Sequence, residues 1–370
     1  MSEIVNVDAL LATTAGDVGQ QPIILNQMGS FFFAGRVARA VDGETFHGDH
    51  GYAQYFVPEP ARDLPLVMWH GLGQSGKCWE STPDGREGFW QLFLRRNWPV
   101  YIIDQPRRGR AGRAMPADDA EPLIPTMEAE SEAWATFRLG RWKPPGAASF
   151  FDGLRMARDQ ASIEQLMRQQ TPGTGVEPFP DAGHREFLGG AVAELVASIG
   201  PSVLMTHSHS GQYGWVTAVR QPKLVRAVVA IEPGEYAFPH DGVPEDVSTD
   251  SDLLREFMAP QVIPAADFAA LTRIPILVMF GDFIADEPDE AFGVELWRVV
   301  RERAKQFVAT VNARGGDATL LELRDCGLPG NTHFPMADLD NVEFATLIEN
   351  FLLERGLGAS GPPHHCPHAR

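Results

Sequence analysis

Short apolar runs rich in β-branched residues alternate along this chain with longer stretches whose apolar positions recur every three to four residues. The short runs predict strands, and the periodic stretches predict amphipathic helices. Predicted strands cover 29–37, 52–57, 64–69, 100–103, 202–206, 226–231, 276–280 and 319–323. Predicted helices cover 88–96, 185–199, 211–220, 290–313 and 342–355. Because the later strands are apolar on both faces, we expect an α/β fold in which helices flank a mostly parallel eight-stranded sheet that opens with an antiparallel pair.

Two of the connections are too long to be ordinary loops. Residues 114–184 separate the fourth and fifth predicted strands, and residues 235–273 separate the sixth and seventh. Long segments at the ligand-binding end of a sheet commonly form lids or pocket walls. We therefore predict a single domain over 1–357 that carries both insertions as cap or lid segments, followed by a flexible tail over 358–370.

The residues around Ser208 have the form of a nucleophile elbow. An apolar stretch ends abruptly, and Ser208 follows between two histidines, with the small residues Thr206 and Ser210 two positions on either side. Such a strand-to-helix turn needs small residues there, because the strand and the helix nearly touch. The usual pattern has glycines at both positions, so the run by itself fits an ordinary Ser/Thr-rich turn equally well. Ser210 is the weaker nucleophile candidate, because Gln212 would then occupy a position that needs a small residue.

A glycine-rich loop over 70–76 follows the third predicted strand. Backbone N–H groups in such a loop can point at a developing oxyanion. Leu72 would supply one N–H group, and His209, directly after Ser208, would supply the other. We therefore predict an oxyanion hole formed by Leu72 and His209.

An acid and a histidine also follow predicted strands. Glu232 ends the sixth strand, and His333 lies in a loop before the final helix, so the chain order is nucleophile, acid, histidine, as in α/β-hydrolases. Asp282 after the seventh strand is the alternative acid, because many hydrolases place the acid there. In the usual G-x-x-D register, however, that position is Ile284. We prefer Glu232, whose longer side chain extends its reach toward His333.

Composition narrows the function classes. The formal charge of −18 argues against nucleic acid or an anionic membrane surface as the main partner. No apolar stretch is long enough for a membrane span, and the first residues lack the pattern of a signal peptide. Three cysteines cannot form a disulfide framework, so we expect a cytoplasmic protein. The histidines near Cys366 suggest a metal site, but a frayed terminus is the preferred interpretation.

Several segments together resemble the bacterial esterase 713 type of α/β-hydrolase. The resemblance runs from about residue 29 to residue 353 and rests on the motifs at 79–86, 103–105, 108–110, 207–211, 232–235, 280–282 and 330–333. It implies a carboxylesterase with a Ser–His–Glu triad of Ser208, His333 and Glu232. The chain differs from that type in its longer 235–273 insertion, and in His209 where glutamine is expected.

These observations predict a serine carboxylesterase that cleaves a small-molecule ester through an acyl-enzyme on Ser208, with no cofactor and no metal. A lactonase or thioesterase on the same triad is the nearest alternative, and a non-hydrolytic lyase or receptor on this scaffold is a further one. A homodimer is possible. The acyl preference is not encoded in any motif.

Overall fold

The computed structural model describes residues 22–115, 129–175, 177, 181–360 and 366–367. Its strands are β1 (Leu25–Arg39), β2 (Thr45–Pro58), β3 (Leu66–Trp69), β4 (Val100–Asp104), β5 (Gly140–Arg141), β6 (Ser149–Phe150), β7 (Ser202–His207), β8 (Val225–Ile231), β9 (Ala237–Pro239), β10 (Gln261–Ile263), β11 (Pro275–Phe280) and β12 (Asp317–Glu322). Its α-helices are α1 (Phe89–Arg95), α2 (Glu130–Thr136), α3 (Gln160–Arg168), α4 (Ala182–Ile199), α5 (Ser210–Arg220), α6 (Asp252–Phe257), α7 (Ala265–Leu271), α8 (Phe292–Ala313) and α9 (Asn341–Glu354).

The central sheet has eight strands in the order β1-β2-β4-β3-β7-β8-β11-β12. The pairs β1–β2 and β2–β4 are antiparallel, and all other neighbours are parallel. The predicted α/β-hydrolase fold, with its mostly parallel eight-stranded sheet, is therefore confirmed. Because β3, β7, β8 and β11 are parallel neighbours, their carboxyl ends meet at one edge, where ligands bind in such sheets.

Alternate strand residues build a core on each face of this sheet, because successive side chains point to opposite sides. On one face, Met68 and Met205 pack with residues of α1 and α9. On the other face, Val67 and Leu204 pack with residues of α4, α5, α7 and α8. Both faces are thus covered, which is why the inner strands are apolar at nearly every position.

The two insertions contain secondary structure of their own, including a short helix where Leu253, Leu254, Phe257 and Met258 form an apolar helical pattern in the sequence. The first holds α2, β5, β6 and α3, and the second holds β9, α6, β10 and α7. Much of the second insertion belongs to the core: Tyr236, Phe238 and Phe268 are fully buried and pack around Phe307 of α8. Because this part is packed in the core, the second insertion is not a lid over its whole length.

The described part of the tail contacts the rest of the protein. Ser360 forms a β-bridge with Arg62, and the N–H of the buried Cys366 donates to the Gln27 side chain at 3.4 Å. The histidines of the suggested tail metal site lie outside the described residues, so both the flexible tail and the single-domain boundary stay predictions. Within the part of the chain that the structure describes, no helix is long and apolar enough to cross a membrane.

Candidate active site

Ser208 lies in the sharp turn between β7 and α5. Its φ of 55° is in the left-handed region, which a residue with a side chain adopts only where its surroundings enforce it. Three backbone hydrogen bonds hold it there: the Ser208 N–H donates to the Ile231 carbonyl at 2.9 Å, and its own carbonyl accepts from Gly211 at 3.0 Å and Gly234 at 3.1 Å. The backbone strain expected of a nucleophile elbow is therefore present at Ser208.

The small residues around the turn are required by close contacts. A Cβ at Gly211 would lie 2.4 Å from Pro233 Cβ, and one at Gly214 would lie 2.8 Å from Thr206 Cγ2. The Ser210 hydroxyl is buried and accepts the His207 N–H at 3.0 Å. That hydroxyl also lies 3.0 Å from the Trp69 carbonyl, to which it can donate. Ser210 thus braces the turn, whereas the Ser208 hydroxyl has no hydrogen bond among the described residues and borders a cavity.

His333 and Glu232 lie together at the same edge of the sheet. His333 Nδ1 is 2.8 Å from Glu232 Oε2, and both side chains are buried. The His333 N–H donates to the Phe137 carbonyl at 3.0 Å, and the Trp297 ring centroid lies 4.3 Å from that of the imidazole. The imidazole is therefore fixed by backbone, aromatic and carboxylate contacts, and it borders the same cavity as Ser208.

The Glu232 carboxylate forms a buried ion pair with Arg138, a residue that the sequence analysis missed. Arg138 Nη1 and Nη2 lie 2.7 Å and 2.5 Å from the two carboxylate oxygens, and the Gly281 N–H donates to Oε1 at 2.5 Å. Burial raises the pKa of Glu232, but Arg138 and His333 together outweigh burial and lower this pKa to about 2. Arg138 lies just after α2 in the first insertion, and no motif marks it.

The same arginine affects His333. Burial is the main cause that lowers the pKa of His333, and the positive charge of Arg138 acts in the same direction, while Glu232 opposes both. A neutral imidazole whose Nδ1–H donates to Glu232 leaves Nε2 free to accept a proton. The pair is therefore suited to general-base chemistry.

Asp282, the alternative acid, has other partners. Its carboxylate accepts the Gly330 N–H at 2.9 Å and the Phe283 N–H at 2.7 Å, and its carbonyl accepts from Arg138 Nε at 2.8 Å. It therefore anchors the loop that carries His333, and Glu232 is the acid that contacts the histidine.

The predicted oxyanion-hole residues lie beside Ser208. Leu72 and His209 border the cavity, and a Cβ added at Gly71 would lie 2.9 Å from Ser208 Cβ, so only glycine permits this approach. The buried His70 accepts the Gln105 N–H at its Nε2 and so holds the start of the loop. Burial lowers the pKa of His209 to about 4, so its ring is neutral near pH 7 and pairs with the Tyr213 hydroxyl at 2.8 Å.

The cavity between these residues has a volume of about 120 Å³. Its wall is mainly apolar, and Phe257 and Met258 of the second insertion contribute to it, together with Leu72, Phe137, Leu296, Trp297, Val300 and Phe334. Polar side chains at the cavity belong to Gln74, Thr136, His207, Ser208, His209, Glu235 and His333. Among the described residues, no group of three or more His, Cys, Asp or Glu is placed to hold a metal ion.

Comparison with known proteins gives two informative relatives. A solved structure described as a novel bacterial esterase is 28% identical, covers 90% of this chain and 97% of its own, and superposes with a TM-score of 0.69. The probable secreted lipase phiG of a fungal species (strain ATCC 74256) is 25% identical over 337 residues, which is 80% of this chain and 84% of the lipase. No protein-family profile matches the chain.

The expected cytoplasmic location is wrong by this comparison, because the fungal relative is named as a secreted lipase. The inference from cysteine content failed for a physical reason. A chain of this size buries a core large enough to be stable without disulfides, so scarce cysteine does not identify the compartment. The three cysteines are free and buried.

The fold, the strand-end residues and these relatives agree. The chain has the α/β-hydrolase fold and is similar over most of its length to a bacterial esterase and to a fungal lipase, as its motifs predict.

Proposed function

We propose that this protein is a serine carboxylesterase in which Ser208 is the nucleophile, His333 the general base and Glu232 the acid that orients the histidine. The similarity to an esterase and a lipase supports a carboxylic ester hydrolase. The observation that carries the serine mechanism is the buried Glu232–His333 pair, 2.8 Å apart, at the same cavity as the strained Ser208.

The proposed reaction has two halves. Ser208 Oγ attacks the ester carbonyl carbon while His333 Nε2 takes its proton, and the N–H groups of Leu72 and His209 bind the oxyanion. His333 then gives this proton to the departing alkoxide, which leaves as the alcohol. Water attacks the acyl-enzyme in the same way and releases the carboxylic acid and free Ser208.

Arg138 is proposed as a positioning residue. Its two hydrogen bonds fix the plane of the Glu232 carboxylate, so that Oε2 faces His333. Its charge keeps Glu232 ionised and disfavours the imidazolium, which keeps His333 able to accept a proton at lower pH.

The part of the second insertion that reaches the cavity is the end of α6. Phe257 and Met258 form part of the wall, while the exposed Leu253 of the same helix does not. We propose that α6 acts as the lid and limits the size of the acyl or alcohol group. Deleting the whole insertion would remove core residues, so a point substitution is the better test.

Ser208→Ala is expected to lower kcat for a 4-nitrophenyl ester by about 10⁴ to 10⁶, because the acyl-enzyme cannot form. The wild type should be labelled by a fluorophosphonate, with the adduct mapped to Ser208 by mass spectrometry. Ser198→Ala, at an exposed position of α4, is the control and should keep both activity and labelling. Labelling of the folded Ser208→Ala protein would contradict the assignment.

Glu232→Gln is expected to lower kcat by about 10² to 10⁴, since a neutral amide stabilises the imidazolium poorly. Asp282→Asn is the matched control and should lower kcat less than about tenfold, because its contacts are to backbone groups. Both are assayed at a temperature where circular dichroism shows the folded state. The reverse ranking would restore Asp282 as the catalytic acid.

Arg138→Met is expected to lower the free energy of unfolding by about 3 to 5 kcal/mol, because it leaves a buried carboxylate without its cation. In the wild type, the stabilisation linked to Glu232 is present above its ordinary pKa of 4.5 and is lost as the pH falls toward 2. The substitution should also raise the pKa of His333 and move the acidic limb of kcat/KM to higher pH. Arg138→Lys should return the acidic limb most of the way to its wild-type position. If the limb does not move in Arg138→Met, Arg138 has only a structural role.

Phe257→Ala is expected to raise the ratio of kcat/KM for 4-nitrophenyl octanoate over acetate by about tenfold, equivalent to about 1.4 kcal/mol. The reason is that the wall recedes only where a long acyl group reaches it. Leu253→Ala is the control on the same helix and should leave the ratio unchanged. An equal loss on both esters would argue against a lid.

A further inference from the structure

Gln74 is a buried polar side chain at the candidate active site that has no partner. It is 1% exposed and borders the cavity that contains Ser208. Neither its Nε2 nor its Oε1 makes a hydrogen bond among the residues that the structure describes. A buried amide without hydrogen-bond partners costs free energy of folding. Such a group at a cavity therefore suggests that a ligand supplies the missing partners.

The main chain at this position is firmly held, unlike the side chain. The Gln74 N–H donates to the Gly71 carbonyl at 3.3 Å, and the Gln74 carbonyl accepts from the Thr171 hydroxyl at 3.1 Å. Thr171 also donates its N–H to the Gly73 carbonyl at 2.8 Å. The loop is therefore fixed in place, and the amide at the cavity is the part left unsatisfied.

Other polar groups at the cavity are partly satisfied, since His207 Nδ1 and Glu235 Oε1 also have no hydrogen-bond partner among the described residues, whereas other atoms of these side chains do. His207 Nε2 pairs with the His333 carbonyl at 2.8 Å, and Glu235 pairs with Arg185 at 2.5 Å. His209 pairs with the Tyr213 hydroxyl. At Gln74, in contrast, both the donor and the acceptor of the side chain are unpartnered, so a polar group that enters the cavity can bind to either.

We infer, on the basis of the proposed esterase function, that the substrate carries a hydroxyl or carbonyl group close to its ester bond and that the Gln74 amide binds this group. The distance follows from the chain: Gln74 is two residues after Leu72, the proposed oxyanion donor, and two residues span at most about 7 Å. The polar group thus lies a few bonds from the scissile carbonyl, and the apolar remainder of the substrate lies against Phe137 and Trp297.

Two pairs of esters test whether this polar group lies on the acyl side or on the alcohol side of the ester bond. Ethyl 3-hydroxybutanoate against ethyl 3-methylbutanoate tests the acyl side, and 2-hydroxyethyl butanoate against propyl butanoate tests the alcohol side. Each pair exchanges a hydroxyl for a methyl group of similar size. The wild type is expected to favour the hydroxyl member of one pair by about tenfold in kcat/KM, which corresponds to about 1.4 kcal/mol.

Gln74→Leu should reduce that preference to about twofold or less by lowering kcat/KM for the hydroxyl member, because the amide that binds the hydroxyl is lost. Gln160→Leu, at an exposed position of α3, is the matched control and should keep the preference. The melting temperature of Gln74→Leu should equal or exceed that of the wild type, because the substitution removes an unpaired buried amide.

The outcomes separate this inference from the proposed function. Hydrolysis of all four esters without a hydroxyl preference overturns the role of Gln74 and leaves the esterase intact. A lower melting temperature in Gln74→Leu also overturns it, since the amide would then be paired within the folded chain. Absence of both ester hydrolysis and fluorophosphonate labelling refutes the proposed function, and the inference with it.

Discussion

The buried carboxylate of Glu232 is the contact on which the candidate active site depends. It receives two hydrogen bonds from Arg138, one from the Gly281 N–H and one from His333. These donors come from three separate parts of the chain, so this one charge at the end of β8 joins the end of β11, the first insertion and the loop that carries His333. A fully buried charge is tolerated only when its oxygens are satisfied in this way.

Glu232 contacts both a permanent cation, Arg138, and a titratable ring, His333, and this double contact affects how strongly the ring binds a proton. In a histidine–carboxylate pair without a further cation, the carboxylate stabilises the imidazolium. Here Arg138 already neutralises the carboxylate, so the net attraction for a second positive charge is weaker. The arrangement lowers the proton affinity of the histidine, so His333 stays neutral to lower pH and its imidazolium returns the proton readily, which suits the proposed two-step acyl transfer.

The first insertion therefore does more than border the cavity. Phe137 holds the backbone of His333 and contributes to the apolar wall, and the next residue, Arg138, neutralises Glu232. The second insertion is divided between the core and the cavity, with Phe268 packed in the core and Phe257 at the wall. Part of the cavity wall and the charge that faces Glu232 thus come from segments outside the central sheet and its flanking helices.

The sequence by itself determined the sheet, because buried parallel strands must be apolar on both faces. It placed the predicted strands within a few residues of those observed, except that β2 begins at Thr45 and not at residue 52. It also brought Ser208, Glu232 and His333 to one edge, because each follows a strand and parallel strands end together. It did not determine the pairing of Arg138 with Glu232, the anchoring role of Asp282 or the unpaired amide of Gln74. Those depend on which side chains meet after the insertions pack, and contacts between residues far apart in the chain leave no periodic signal in it. Only the tertiary structure decided them.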